Sequence, residues 1–121
     1  MPQRDAQELL SLWNTHEQRS TWREVIRRGG DNEIAQRVLH EVPDVSALEA
    51  LAANRELVQL LTARRWYVIR DAREAGASWS QIGEALGMSK QGAQDWYRRR
   101  IAEQEQDVGG LHDAERAQQA L

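Results

Sequence analysis

Cysteine is absent from the 121 residues. That absence excludes disulfides, thiolate metal sites and cysteine nucleophiles together, and it suits a cytoplasmic setting. Phenylalanine is absent too, so five tryptophans and two tyrosines supply all aromatic packing. Only two prolines interrupt the chain. Leu, Ala, Glu, Gln and Arg dominate what remains, a mix that favours helix by intrinsic preference. No stretch alternates apolar and polar residues with β-branched side chains, so no sheet is expected. No apolar run approaches the ~20 residues needed to span a bilayer, and Met1 to Asp5 opens without the apolar core of a leader. The expectation is an all-α, soluble, cytoplasmic protein: one compact domain, or one with a small helical annex.

Catalytic and cofactor signatures are missing as well. His16, His40 and His112 share no metal-ligand spacing, and the fragment His16-Glu17 has Ser20 where a zinc-protease motif requires its second histidine. Gly29-Gly30 and Gly109-Gly110 lack the lysine and following helix of a phosphate loop. No carboxylate sits in an apolar setting that raises its pKa for acid–base work. No enzyme, metal or cofactor is expected.

Net charge is −3, yet it is unevenly placed. Residues 62–101 hold eight basic against four acidic side chains, a balance of +4, which leaves −7 for the rest. A basic segment within an acidic chain marks a possible binding face for a polyanion.

Capping signals punctuate the chain. Asp5 can cap a first helix to about Glu17, with Leu9, Leu10 and Trp13 on one face. Thr21 with Glu24 reads as a capping box opening a second helix that ends at Gly29-Gly30. Asp31 caps a third, closed by Pro43. Ser46 with Glu49 opens a long helical stretch to Ala75, with a break expected at Asn54 and a glycine stop at Gly76. Ser78 with Gln81 opens a short helix ending at Gly87, and Ser89 caps the next, to about Gln106. Residues 107–121 read as a polar tail, helical or frayed.

The segment from Trp79 to Arg98 has the features of two helices crossing steeply. Ile82 and Leu86 lie one turn apart and face a core. Gly83 stands where the backbones approach, so that a side chain larger than Ala forces them apart. Gly87 supplies the positive φ of a tight turn, and Met88 plugs it. Ala93 and Trp96 face back from the second helix. By these residues the segment resembles the helix-turn-helix of bacterial transcription regulators. The longer phrase from Ala72 to Ser89 is similar to the tri-helical form of sigma-factor region four and of small actinobacterial regulators. The resemblance covers residues about 56–104.

That resemblance implies double-stranded DNA as partner, with the second helix in the major groove. Ser89, Lys90, Gln91 and Gln94 would then read base edges. Ser80, Gln81, Arg98, Arg99 and Arg100 would hold phosphates. Asp95 departs from such a face unless it pairs with Arg98 or Arg99. The expected organisation is residues 1–53 as helices packed on the motif and supporting a homodimer, 54–106 as the DNA-binding domain and 107–121 as a tail. The implied function is a sequence-specific transcriptional repressor. The rival expectation is a protein-interaction module, antitoxin-like or polymerase- or sigma-binding, whose acidic N-terminal helices take a basic protein partner.

Overall fold

The computed structural model describes residues 4–29, 32–108 and 113–121, and among these it contains six helices and no strand. The helices are α1 (Ala6–Arg27), α2 (Asn32–Glu41), α3 (Ala47–Glu74), α4 (Trp79–Leu86), α5 (Lys90–Val108) and α6 (Ala114–Gln119). None is long and apolar enough to cross a membrane. The all-α expectation holds. The chain divides into two compact units, Met1–Leu61 and Thr62–Leu121.

In the first unit, Asp5 caps α1 as expected, its Oδ1 accepting from the Glu8 N–H at 2.8 Å. The expected break before Thr21 is absent: α1 runs 22 residues without interruption. The capping-box residues are spent otherwise. Thr21 Oγ1 donates to the Glu17 carbonyl one turn back, at 3.0 Å, and Glu24 accepts from Arg27 Nε and Arg28 Nε at 2.9 and 2.8 Å. No glycine or proline lies between Glu17 and Thr21, and a hydroxyl bonded back to its own helix does not cap a new one. The Arg27 guanidinium, with Arg28 beside it, holds the Glu24 carboxyl below the usual carboxylate range.

Helix α2 packs against α1 and stops before Pro43. The expected cap Asp31 lies outside the described residues. The far end of α2 is closed by a side chain from α1: Arg19 Nη1 donates to the carbonyls of Leu39 and Val42 at 2.7 and 2.8 Å. A guanidinium satisfying last-turn carbonyls also complements the negative end of the helix dipole. Leu9, Ala35, Val45, Ala50 and Ala53 are the buried apolar residues of this unit.

The Ser46–Glu49 capping box is present, with Glu49 N–H donating to Ser46 Oγ at 3.1 Å and Ser46 N–H to Glu49 Oε1 at 3.4 Å. From it α3 runs 28 residues, straight through Asn54. The break expected there is a second correction. Asn54 is exposed between Ala52-Ala53 and Arg55-Glu56, good helix formers whose summed preference outweighs one asparagine. Gly76, at φ +96°, ends α3 as expected: the N–H groups of Gly76 and Ala77 donate to the carbonyls of Arg73 and Ala72.

The second unit is built on Trp66 and Ile69 of α3, Trp79 and Ile82 of α4, Ala93, Tyr97 and Ile101 of α5, and Ala117 and Ala120 at the C-terminal end. Trp66 is fully buried while its neighbour Tyr67 is 43% exposed, as adjacent residues on a helix require. The expected tail is a structural element. Asp113 caps α6 through the Arg116 N–H, and Arg116 meets Glu74 with two charge-assisted bonds of 2.6 Å. The Arg116 guanidinium holds the Glu74 carboxyl low.

Tyr97 is buried, and its hydroxyl donates to the Ala117 carbonyl at 2.7 Å. Burial, more than the flanking charges, pushes its pKa up to about 12. The phenol ionises later in the folded chain than in the unfolded chain, whose ordinary value is 10.0. Its stabilising contribution is therefore complete below about pH 10 and is lost as pH rises toward about 12. Urea midpoints measured across that window should fall. In Tyr97→Phe the fall should be smaller, leaving only the share of the remaining groups, and an equal fall in both proteins would refute the assignment.

Candidate functional site

The turn between α4 and α5 is closed by caps on both sides. Its entry is the Ser78–Gln81 capping box: Gln81 N–H donates to Ser78 Oγ at 3.1 Å and Ser78 N–H to Gln81 Oε1 at 2.8 Å. Gly87, at φ +68° and ψ +30°, ends α4, and the N–H groups of Gly87 and Met88 return to the carbonyls of Glu84 and Gly83 at 3.2 and 2.8 Å. A side chain at Gly87 would be strained by that φ. Ser89 then caps α5, its Oγ accepting from Gly92 N–H at 2.9 Å.

Gly83 explains why this turn is so tight. A Cβ placed on it would lie 2.7 Å from the Met88 carbonyl oxygen and 3.0 Å from that of Ser89. The close approach is therefore between α4 and the backbone of the turn itself. Even alanine would press on it, a stricter limit than the sequence suggested. At Gly92 a Cβ would meet Ser89 Oγ at 2.9 Å, a movable side-chain atom.

Ile82 and Ala93 are buried, and Leu86 and Met88 pack partly buried against the same core. Trp96 packs partly buried against the same core, as Leu86 and Met88 do, and is not one of its fully buried members. The buried stripe of α5 is Ala93, Tyr97 and Ile101, spaced four residues apart, and Trp96 sits at the edge with the Arg65 guanidinium 5.3 Å above its ring. Two adjacent aromatics offered two registers, and the i, i+4 series that continues to Ile101 prevails over the i, i+3 pair.

The leading end of α5 points its side chains outward: Ser89, Lys90 and Gln91 are exposed and Gln94 is half-buried. Two of these four expected base readers already have partners. Ser89 Oγ is the helix cap, and Gln91 Nε2 donates to Asp95 Oδ1 at 2.9 Å. Arg98 Nη1 reaches the same oxygen at 3.1 Å, so Asp95 is neutralised by Arg98, one of the two partners foreseen. Gln91, Asp95 and Arg98, at i, i+4 and i+7, form one outward stripe, with Gln94 beside it.

The three consecutive arginines do not share that stripe, because successive helix positions are turned by about 100°. Arg98 lies on it. Arg99 and Arg100 line a shallow cavity of about 220 Å³ with Trp96 and Glu103, and Arg100 Nη1 bonds Glu103 at 3.3 Å. Ser80 is exposed in the first turn of α4, while the cap occupies the Gln81 N–H and Oε1. Of the expected phosphate contacts, Ser80, Arg98 and Arg99 are exposed, and Gln81 keeps its Nε2 as a donor beside the cap.

Sequence reasoning missed the groups that hold this arrangement from behind. Arg73 donates from Nε to the Ala120 carbonyl at 2.7 Å, from Nη1 to Ala77 at 3.0 Å and from Nη2 to Leu121 at 3.3 Å. Its guanidinium lies 5.3 Å from the Trp79 ring centre, and Trp79 Nε1 donates to the Leu121 carbonyl at 3.2 Å. The available signal was Asp113 before Ala114, a cap followed by small residues at Ala117 and Ala120. No protein family, curated protein or solved structure matches the chain.

Proposed function

We propose that the Thr62–Leu121 unit is a tri-helical helix-turn-helix, formed by the end of α3 with α4 and α5, that binds double-stranded DNA sequence-specifically. One observation carries this reading. The leading end of α5 is exposed at Lys90 and Gln91, while the same helix is anchored from behind by Ala93, Tyr97 and Ile101. A helix held in that way can enter a major groove end-first.

Chemistry distributes the roles. Lys90 is an exposed cation without an ion pair among the described residues and is suited to guanine O6 and N7, and Gln94 presents an amide suited to adenine. Gln91 reads a base by exchanging its bond to Asp95 for one to the base edge. Arg98 and Ser80 neutralise or hold phosphate, which makes affinity fall with salt. A unit this small reads few base pairs, so the protein acts as a homodimer on two half-sites, as a transcriptional repressor that contributes no chemistry of its own.

Selection of bound sequences from a random duplex pool should return a preferred site with two-fold symmetry. Replacing Lys90, Gln91 and Gln94 by alanine should erase that preference, at about 1–3 kcal/mol for each lost bidentate contact, with an unchanged helical spectrum. Equal preference in the triple variant, or no enrichment from the pool, defeats the reading.

A further inference from the structure

A second face of α5 carries chemistry that base reading leaves unused. Trp96, Arg99, Arg100 and Glu103 follow one another at i, i+3, i+4 and i+7 and line the cavity of about 220 Å³. The Arg65 guanidinium of α3 stands beside them, over the Trp96 ring. At about 100° per residue, this face is centred roughly 120° around the helix from the stripe of Gln91, Asp95 and Arg98. Three guanidinium groups thus share one carboxylate, that of Glu103. Arg65 and Arg99 have no carboxylate partner among the described side chains. Arg100 commits only Nη1 to Glu103, in a long bond of 3.3 Å, and its Nε is enclosed without an acceptor. A buried N–H left unpaired is destabilising, so this guanidinium is short of an anion.

We propose that the cavity binds the phosphate monoester of a small hydroxylated molecule. A phosphate monoester carries about −1.5 to −2 charges at neutral pH, which matches an excess of two cations, whereas a carboxylate would neutralise only one. Planar guanidinium forks take phosphate oxygens in pairs of parallel bonds. Arg100 completes such a pair by exchanging its long bond to Glu103 for phosphate oxygens at Nε and Nη1. The carboxylate released in this way accepts from a hydroxyl of the ligand, and the Trp96 ring walls its carbon chain. Glu103 also discriminates between two sources of phosphate. A DNA backbone offers diesters without a hydroxyl, so a carboxylate at the rim repels it. A small ester brings the hydroxyl that the carboxylate needs. The cavity is below the ~300–1,000 Å³ of drug-sized sites, which suits a phosphate with a few carbons. This site stands beside the duplex reading and does not rest on it.

Calorimetric titration of the whole chain with glycerol 3-phosphate should show one saturable site. Inorganic phosphate should bind at least about 5-fold more weakly, and glycerol should give no heat. Arg100→Gln should raise the dissociation constant for glycerol 3-phosphate at least about 10-fold with an unchanged helical spectrum. Arg99→Gln, at an exposed position where folding is not at stake, should do the same. Arg37→Gln, an equal loss of charge on α2, should change it less than about 2-fold. A duplex of random sequence separates the two sources: Arg100→Gln should change its affinity less than about 3-fold at fixed salt. Equal weakening of both ligands would give the cavity to the DNA backbone and overturn the proposal. Absence of saturable heat, tighter binding of inorganic phosphate, or an equal loss in Arg37→Gln would overturn it as well. Duplex enrichment without glycerol 3-phosphate binding strikes this site alone, and the reverse result strikes the DNA reading alone.

Discussion

Gly83→Ala should destabilise the protein by about 1–2 kcal/mol, and Gly83→Val by more, as read from urea midpoints at unchanged slope. The sign runs against local preference, since alanine in place of a mid-helix glycine ordinarily gains about 1 kcal/mol. The opposing term is contact. The new Cβ would sit 2.7 Å from the Met88 carbonyl oxygen and 3.0 Å from the Ser89 carbonyl oxygen. Both are backbone atoms, so no rotamer change relieves the overlap, and the turn must move as a whole. That movement strains the bond from Met88 N–H to the Gly83 carbonyl and shifts the start of α5. Duplex affinity should therefore fall at temperatures where the variant is fully folded. Gly92→Ala is the matched control: its Cβ would crowd Ser89 Oγ, a side-chain atom, with Met88 Cβ at ordinary contact distance, and a helix gain of about 1 kcal/mol offsets a weakened cap of similar size. A higher midpoint for Gly83→Ala than for the wild type would show that the turn is slack.

Arg73→Met should cost about 2–4 kcal/mol, since three charge-assisted bonds, each contributing roughly 1.5–3 kcal/mol when buried, are lost together and water recovers part of the loss. Methionine keeps the apolar stem over Trp79, which separates hydrogen bonding from packing. The loss should be local first. A six-residue helix has no stability in isolation, so α6 persists through what it touches. Without Arg73, the carbonyls of Ala120 and Leu121 lose their guanidinium donor, and this end is left to the Trp79 and Tyr97 bonds, the pairs of Arg116 with Glu74 and Asp71, and the packing of Ala117 and Ala120. Amide exchange across 114–119 should accelerate well before exchange across 93–101 does. Protection that stays equal in both stretches would mean that α6 is held by something other than this clamp.

Both effects bear on the proposed DNA face through rigidity. The outward stripe of Gln91, Asp95 and Arg98 is useful only if the inward stripe of Ala93, Tyr97 and Ile101 is fixed. Tyr97 is fixed in turn by the Ala117 carbonyl. The C-terminal helix is therefore part of the module rather than an appendage to it.

Local chemistry was written in the sequence. The caps at Asp5, Ser46, Ser78 and Ser89, the glycine stops at Gly76 and Gly87 and the buried positions Ile82 and Ala93 were all legible, because each depends on residues within one or two turns. Tertiary structure decided the choices among locally equivalent options. Whether Trp96 or Tyr97 lay deepest in the core depended on partners across the unit. The same holds for Arg73 and for residues 113–121. A guanidinium that collects carbonyls more than forty residues away leaves no periodic trace, and a helix of six residues exists only through the surface it lies on. Spacing reveals what a helix can present, and packing selects which of its faces is left to present it.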